Sequence, residues 1–195
     1  MPAMPLLADL KLADRTGLPE ALRVLLADYP RDGWAADPGF EGLVAFWLSR
    51  HQMFRDLMGM IGTDAEAAMD RRIGGRDYAQ RLSRLGGGLI QNLQGHHQIE
   101  DHHYFPVLRR HDARIDAGFD LLDADHHAMD GLLSGFADAA NGAIRVADDP
   151  AALIDRAADL RACMADFRRM LARHLEDEED LIVPVILQSG GAGLG

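Results

Sequence analysis

The sequence predicts an all-α protein: an antiparallel up-down four-helix bundle with a short extra N-terminal helix. Three observations predict it. Four long stretches carry apolar residues every three to four positions, glycine, proline and aspartate breaks separate them, and strand signals are weak throughout. The chain has 195 residues, 48% hydrophobic and 26% charged, which suits one globular domain with its own core. The expected organisation is an N-terminal segment over 1–38, a bundle over 39–188 and a flexible tail over 189–195, whose Ser-Gly-Gly-Ala-Gly-Leu-Gly composition has no core-forming pattern.

The N-terminal segment holds a short amphipathic helix over 18–28, with Leu22, Leu25 and Leu26 on its face and Tyr29-Pro30 ending it. Helix A is expected over 39–60, with the stripe Val44, Trp47, Leu48, His51, Phe54 and Met58, followed by a separate helical stretch over 64–72 and a break at Gly74-Gly75. Helix B covers 76–110 with Leu82, Leu85, Leu89, His96, Glu100, His103 and Val107. Two features disturb it. Gly86-Gly87-Gly88 marks a kink or the close approach of another helix, and Pro106, which lacks an N–H, bends the helix just before it. Helix C runs over 117–146 through Phe119, Leu122, His126, Met129, Leu133, Phe136, Ala140 and Ile144. Asp148-Asp149-Pro150 signals the start of helix D, which runs over 151–187 through Leu160, Cys163, Phe167, Leu171, His174, Glu178, Leu181 and Val185.

A net charge of −11, with arginines dispersed among acids, argues against nucleic acid or an anionic membrane as partner. The sequence shows no signal peptide and no transmembrane run. A single cysteine, Cys163, excludes an intramolecular disulfide framework and suits a cytoplasmic setting. Its place on the helix D stripe makes it a core residue.

Each of the four stripes passes through a histidine: His51, His96, His126 and His174. Two of them repeat a grammar. His96, Glu100 and Pro106 stand at the same spacings as His174, Glu178 and Pro184. Residues four apart share a helix face, so each copy offers an imidazole beside a carboxylate. Folding the two helix pairs together brings four histidines and two carboxylates to one level of the interior. A carboxylate in an apolar core is costly unless paired, and no lysine or arginine lies on the stripes near Glu100 or Glu178. A cation solves that problem. Neutral imidazole suits iron, zinc, copper or nickel, and carboxylates able to bridge favour a dinuclear centre. The expected ligands are therefore His51, His96, Glu100, His126, His174 and Glu178, leaving coordination positions for a bridging oxygen and an outside ligand.

The doubled H-x3-E-x5-P segments, with single histidines on the other two helices, resemble the hemerythrin-like (HHE) cation-binding family over roughly residues 40–187. The resemblance implies an up-down bundle holding two non-haem iron ions, oxo- or hydroxo-bridged, with Glu100 and Glu178 as bridging carboxylates. It implies binding or sensing of dioxygen or nitric oxide. The alternatives are a di-iron enzyme of oxidase, peroxidase or nitric-oxide-detoxifying and iron–sulfur-repair type, or an iron-handling protein. Helix C departs from the oxygen carriers' H-x3-H, having Asp130 four residues after His126.

Several neighbours remain open on sequence alone. His97 could replace His96 by pairing with Asp101, although the proline spacing favours His96. His103 reads as a further ligand, a donor behind the ligands or the cavity rim. His102, His111 and His127 read as surface residues, and in the run Glu176 to Asp180 only Glu178 lies on the core stripe. Tyr104 and His103 are the candidates for proton or electron delivery. Glu100 and His103 also spell the E-x-x-H of ferritin-like di-iron bundles, but the second copy that fold needs is missing.

Overall fold

The computed structural model describes residues 10–190. Their regular structure is helical: α1 (Val24–Asp28), α2 (Ala45–Met69), α3 (Gly75–Ile99), α4 (Phe105–Leu108), α5 (Asp116–Arg145) and α6 (Pro150–Ser189). The protein is an all-α bundle whose four long helices are α2, α3, α5 and α6. No described helix is long and apolar enough to cross a membrane. The residues of the expected tail from 191 onward lie outside the described chain, as do residues 1–9.

The boundaries have local causes. Helix A was expected from residue 39, but α2 begins at Ala45, after a π-helical turn over Phe40–Val44 in which Gly42 sits at φ 83. That left-handed geometry favours glycine. The stretch expected separately over 64–72 belongs to α2, which runs unbroken to Met69. It stops in a six-to-one turn: Arg72 N–H donates to the Ala67 carbonyl (2.7 Å) and Arg71 N–H to that of Ala68 (3.1 Å), with Arg71 at φ 57. Asp149 caps α6, its carboxylate accepting from the backbone N–H of Ala151 (3.0 Å) and Ala152 (3.1 Å), and Pro150 takes the first helical position.

The described chain forms two compact units. One takes the residues through His51, then His97–Ala128 and the chain from Met170; the other takes Gln52–His96 and Met129–Arg169. Each long helix contributes a segment to both.

In the second unit the four helix segments close a ring. The α2 residue Asp64 accepts two hydrogen bonds from Arg81 of α3 (2.8 Å each). On α3, Gly86 lies against Phe136 of α5, where a Cβ would meet the ring at 3.3 Å. Gly86 therefore accommodates a close neighbour, a Cβ at Gly87 or Gly88 would meet nothing within 4 Å, and the run leaves α3 unbroken. Phe136 meets Phe167 of α6 at 6.1 Å between ring centroids, and α6 returns to α2 through Arg168, which donates to the Met58 carbonyl (3.1 Å).

In the first unit, Leu18, Leu22, Leu25 and Trp34 of the N-terminal segment join a core with Val44, Trp47, Phe105, Phe119, Leu122, Ile182 and Ile186. The short N-terminal helix is real but smaller than expected. It spans Val24–Asp28, with a 3-10 turn over Glu20–Leu22 ahead of it and another over Arg31–Ala36 behind. The segment is held by packing: burying three leucines and a tryptophan is worth about 1.5–3 kcal/mol per large side chain.

Helix B, expected to run continuously to 110, is interrupted. After Ile99 the chain takes a π-helical turn over Glu100–Tyr104 and resumes as α4, with Pro106 in its first turn. Proline cannot donate to the carbonyl four residues back and clashes with it, and the wider turn before it relieves both problems.

Candidate metal centre

The first unit carries the polar interior. His51, Glu100, His174 and Glu178 are fully buried, and His97 and His126 are buried to within a few per cent. One ring nitrogen from each of His97, His126 and His174 lies within 4.8 Å of the others. His97 stacks on His126 with ring centroids 3.9 Å apart and planes 10° from parallel, and His174 stands edge-on to both, at 5.5 and 4.9 Å. Likewise His51, Glu100 and Glu178 each place a ligand atom within 4.8 Å of the others.

Glu178 joins the two sets. Its Oε1 faces His51 Nε2 at 3.4 Å and its Oε2 faces His174 Nε2 at 3.5 Å. Trp47 Nε1–H donates to the same Oε1. Glu100, already within 4.8 Å of His51 and Glu178, faces the three-histidine set as well, its Oε2 lying 3.6 Å from His126 Nε2.

Behind each ring a carboxylate holds the outer nitrogen. His51 Nδ1 lies 3.0 Å from Glu179, His126 Nδ1 2.8 Å from Asp101, and His174 Nδ1 3.4 Å from Asp125. A carboxylate accepts only, so these contacts place a proton on Nδ1 and turn Nε2 inward, where a bound cation would take its lone pair. Two of the carboxylates are held in turn by arginines of the N-terminal segment. Arg15 spans Asp125 with both terminal nitrogens and donates from Nε to Asp177 (2.9 Å). Arg31 donates to Glu179 (2.9 Å) and Asp180 (2.6 Å).

The electrostatics of the site follow from these contacts. Burial pushes the Glu100 carboxyl well above the usual range, and Glu178 and Asp101 push it the same way. For His51, burial works against the charged form, yet Glu178 and Glu179 overcome it and raise the ring to about 9. His174 is lowered, chiefly by burial and by His126, against the pull of Asp125. Asp125 itself stays below the ordinary aspartate value although burial opposes this, because His174 and Arg15 both hydrogen-bond it.

The donor set fits a cation. Nε2 of His126 and of His174 are buried and make no hydrogen bond. A buried aromatic nitrogen left so, beside two buried carboxylates, loses hydration without recovering it from the protein. A cation among them would supply that interaction and relieve the repulsion that raises Glu100.

Of the six ligands expected from sequence, the structure gathers His51, Glu100, His126, His174 and Glu178 in the first unit. His96 is the last residue of the second unit, half-buried, its ring 5.2 Å from that of Phe54. His97, left open as an alternative to His96, stacks within the three-histidine set, and Asp101 pairs with His126 and not with His97. His103 and Asp130 are exposed, as are His102, His111 and His127. Tyr104 is half-buried against Trp47, ring centroids 4.9 Å apart.

The acidic run is where the sequence reading needs correction. Asp177 is fully buried and Glu179 nearly so, because Arg15, Arg173 and Arg31 neutralise them. Asp125 was missed altogether. Nothing in its local pattern separates it from an exposed helical acid, and its burial partner, Arg15, is 110 residues away.

A family model described as the hemerythrin HHE cation-binding domain matches residues 42–186. No curated protein and no solved structure matches the chain.

Proposed function

The chain belongs to the hemerythrin HHE cation-binding family, and on that premise we propose that it binds two non-haem iron ions and takes up dioxygen or nitric oxide there as a binding or sensing protein. In this reading His97, His126 and His174 serve one ion, His51 and His96 the other, and Glu100 and Glu178 are shared. His96 enters because it precedes Glu100 by one helical turn, the spacing that puts imidazole and carboxylate on one face.

The observation that carries the proposal is the posture of Glu178, which turns one carboxylate oxygen to His51 and the other to His174. A carboxylate with a different histidine at each oxygen is disposed to bridge two ions. When bound, iron would supply reversible redox change and open positions for a diatomic ligand. The chain's own residues orient the rings through Asp101, Asp125 and Glu179, exclude water with Phe105, Phe119 and Trp47, and fix Glu178 through the Trp47 N–H. We place the protein in the cytoplasm as part of the same proposal, in keeping with its single cysteine, Cys163.

Metal analysis after anaerobic loading with Fe(II) tests it. About two irons per chain are expected if both ligand sets fill, with an absorption spectrum that changes under air and under nitric oxide. Protein that takes up zinc but no iron, or iron whose spectrum ignores both gases, ends the proposal. One observation favours redox turnover at the same centre as a second reading: Tyr104 packs on Trp47, and Trp47 donates to Glu178, so an aromatic pair connects a half-buried phenol to a ligand carboxylate. Catalytic consumption of nitric oxide or peroxide that disappears in Glu178→Ala would select that reading.

A further inference from the structure

Arg15 lies ahead of the family-matched region, which begins at residue 42, yet it is nine-tenths buried beside the histidines. A buried guanidinium is costly to desolvate, and here three oriented hydrogen bonds to two carboxylates offset that cost. Its two terminal nitrogens grip both oxygens of Asp125, and its Nε reaches Asp177 at 2.9 Å. The Asp125 oxygen that faces His174 Nδ1 is the one Arg15 Nη2 holds. A second, independent instance has the same plan: Arg31 holds Glu179, whose other oxygen faces His51 Nδ1 at 3.0 Å. The third ring lacks it, since among the described residues no arginine pairs with Asp101 behind His126.

We propose that Arg15 is a positioning residue for the metal centre: by clamping Asp125 it fixes the His174 ring with the proton on Nδ1 and Nε2 turned toward the ion. The inference rests on the metal-binding reading above and adds to it a role for the segment outside the helical domain. The N-terminal segment is thereby part of the site. It acts through the carboxylate, and Arg31 does the same for His51 at a more exposed position, its side chain 43% accessible. Lysine is a poor replacement at residue 15, because a single ammonium cannot span both Asp125 oxygens and reach Asp177 as the planar fork does.

The test compares wild type, R15K, R15Q and R31Q, with zinc as the probe ion. Two-bond 1H–15N correlation on metal-free protein reads the His174 tautomer, and chelator competition reads zinc affinity. Circular dichroism confirms that each variant is helical. Wild type should show His174 with its proton on Nδ1. R15Q should show a tautomer mixture and zinc binding weakened about 10–100-fold, the usual effect of losing a group behind a ligand. R15K should fall between the two, and R31Q should affect His51 and leave the His174 signal alone. R15Q with the wild-type tautomer and affinity overturns the proposal. If R15Q does not fold, R15K decides: unchanged tautomer and affinity overturn it, and a several-fold weaker ion with a mixed tautomer supports it. Wild type that binds no divalent ion removes the metal reading, and the metal-free tautomer then still decides whether Arg15 orients His174.

Discussion

The two H-x3-E-x5-P copies are identical in spacing and unlike in what they build. The second, His174 to Pro184, stays inside one continuous helix, with Pro184 tolerated in the interior of α6. The first, His96 to Pro106, breaks into a π-helical turn that starts at its glutamate. Position by position the copies diverge further. The residue after the histidine is His97 in the first and buried Leu175 in the second. The residue before the glutamate is Ile99, about half exposed, against fully buried Asp177 held by Arg15. One position agrees in role as well as register: Asp101 and Glu179, each just after its glutamate, accept from the outer nitrogen of a histidine on another helix, His126 and His51. The repeat therefore preserves the carboxylate behind a ring more faithfully than it preserves the helix. The first copy contributes a further imidazole, and the second contributes the acids that the N-terminal arginines hold.

That asymmetry can be broken experimentally, and the largest effect should fall on the second copy. Glu178→Ala removes the carboxylate that faces histidines of both sets, so bound metal should drop to a trace by elemental analysis. Glu100→Ala should retain more, since it is Glu178 that the Trp47 N–H fixes in place with a histidine at each oxygen, 3.4 and 3.5 Å away. Equal losses would show the copies to be equivalent. Next in size is His97→Ala, which strips the three-histidine set of one member. Cobalt titration followed by its visible bands should then saturate at about one ion per chain, whereas Leu175→Ala should lower stability by about 2–5 kcal/mol through a core cavity and leave the stoichiometry alone. Smaller again, Asp101→Asn and Glu179→Gln should each weaken zinc by about 10-fold or more. Glu179→Gln should have the larger effect, because Glu179 is the more buried and is held by Arg31. The smallest effect on metal belongs to the prolines. Pro184→Ala should leave affinity unchanged while raising metal-free stability by about 1–3 kcal/mol, read as a shift in thermal midpoint. Pro106→Ala should gain less, because the wider turn already accommodates that ring.

Much of the architecture was legible because it is written in periodicity. The stripes through His51, His126 and His174 mark faces that do point inward, and the Asp149-Pro150 start of α6 is a local signal read correctly. What escaped was set by partners distant in sequence. No pattern within 176–180 distinguishes Asp177 and Glu179 from exposed Glu176; their burial depends on Arg15 and Arg31. The proline spacing favours His96 over His97, though His97 lies in the three-histidine set. The π-helical turn was visible only as a proline that had to disturb something, and α2 absorbed the 64–72 stretch because nothing in it actually stops a helix before Met69.

The hydrogen bond from Trp47 to Glu178 has a practical consequence. The chain has two tryptophans. Trp34 lies under the Arg31 guanidinium, 4.9 Å away, with its N–H on the Tyr29 carbonyl, while Trp47 touches Glu178, a candidate ligand. A paramagnetic ion at that carboxylate would quench the second indole through close-range energy and electron exchange, and spare the first to a greater degree. On the proposed function the two indoles would serve as lamp and reference, and loading or release at the centre would be followed by intrinsic fluorescence without a label.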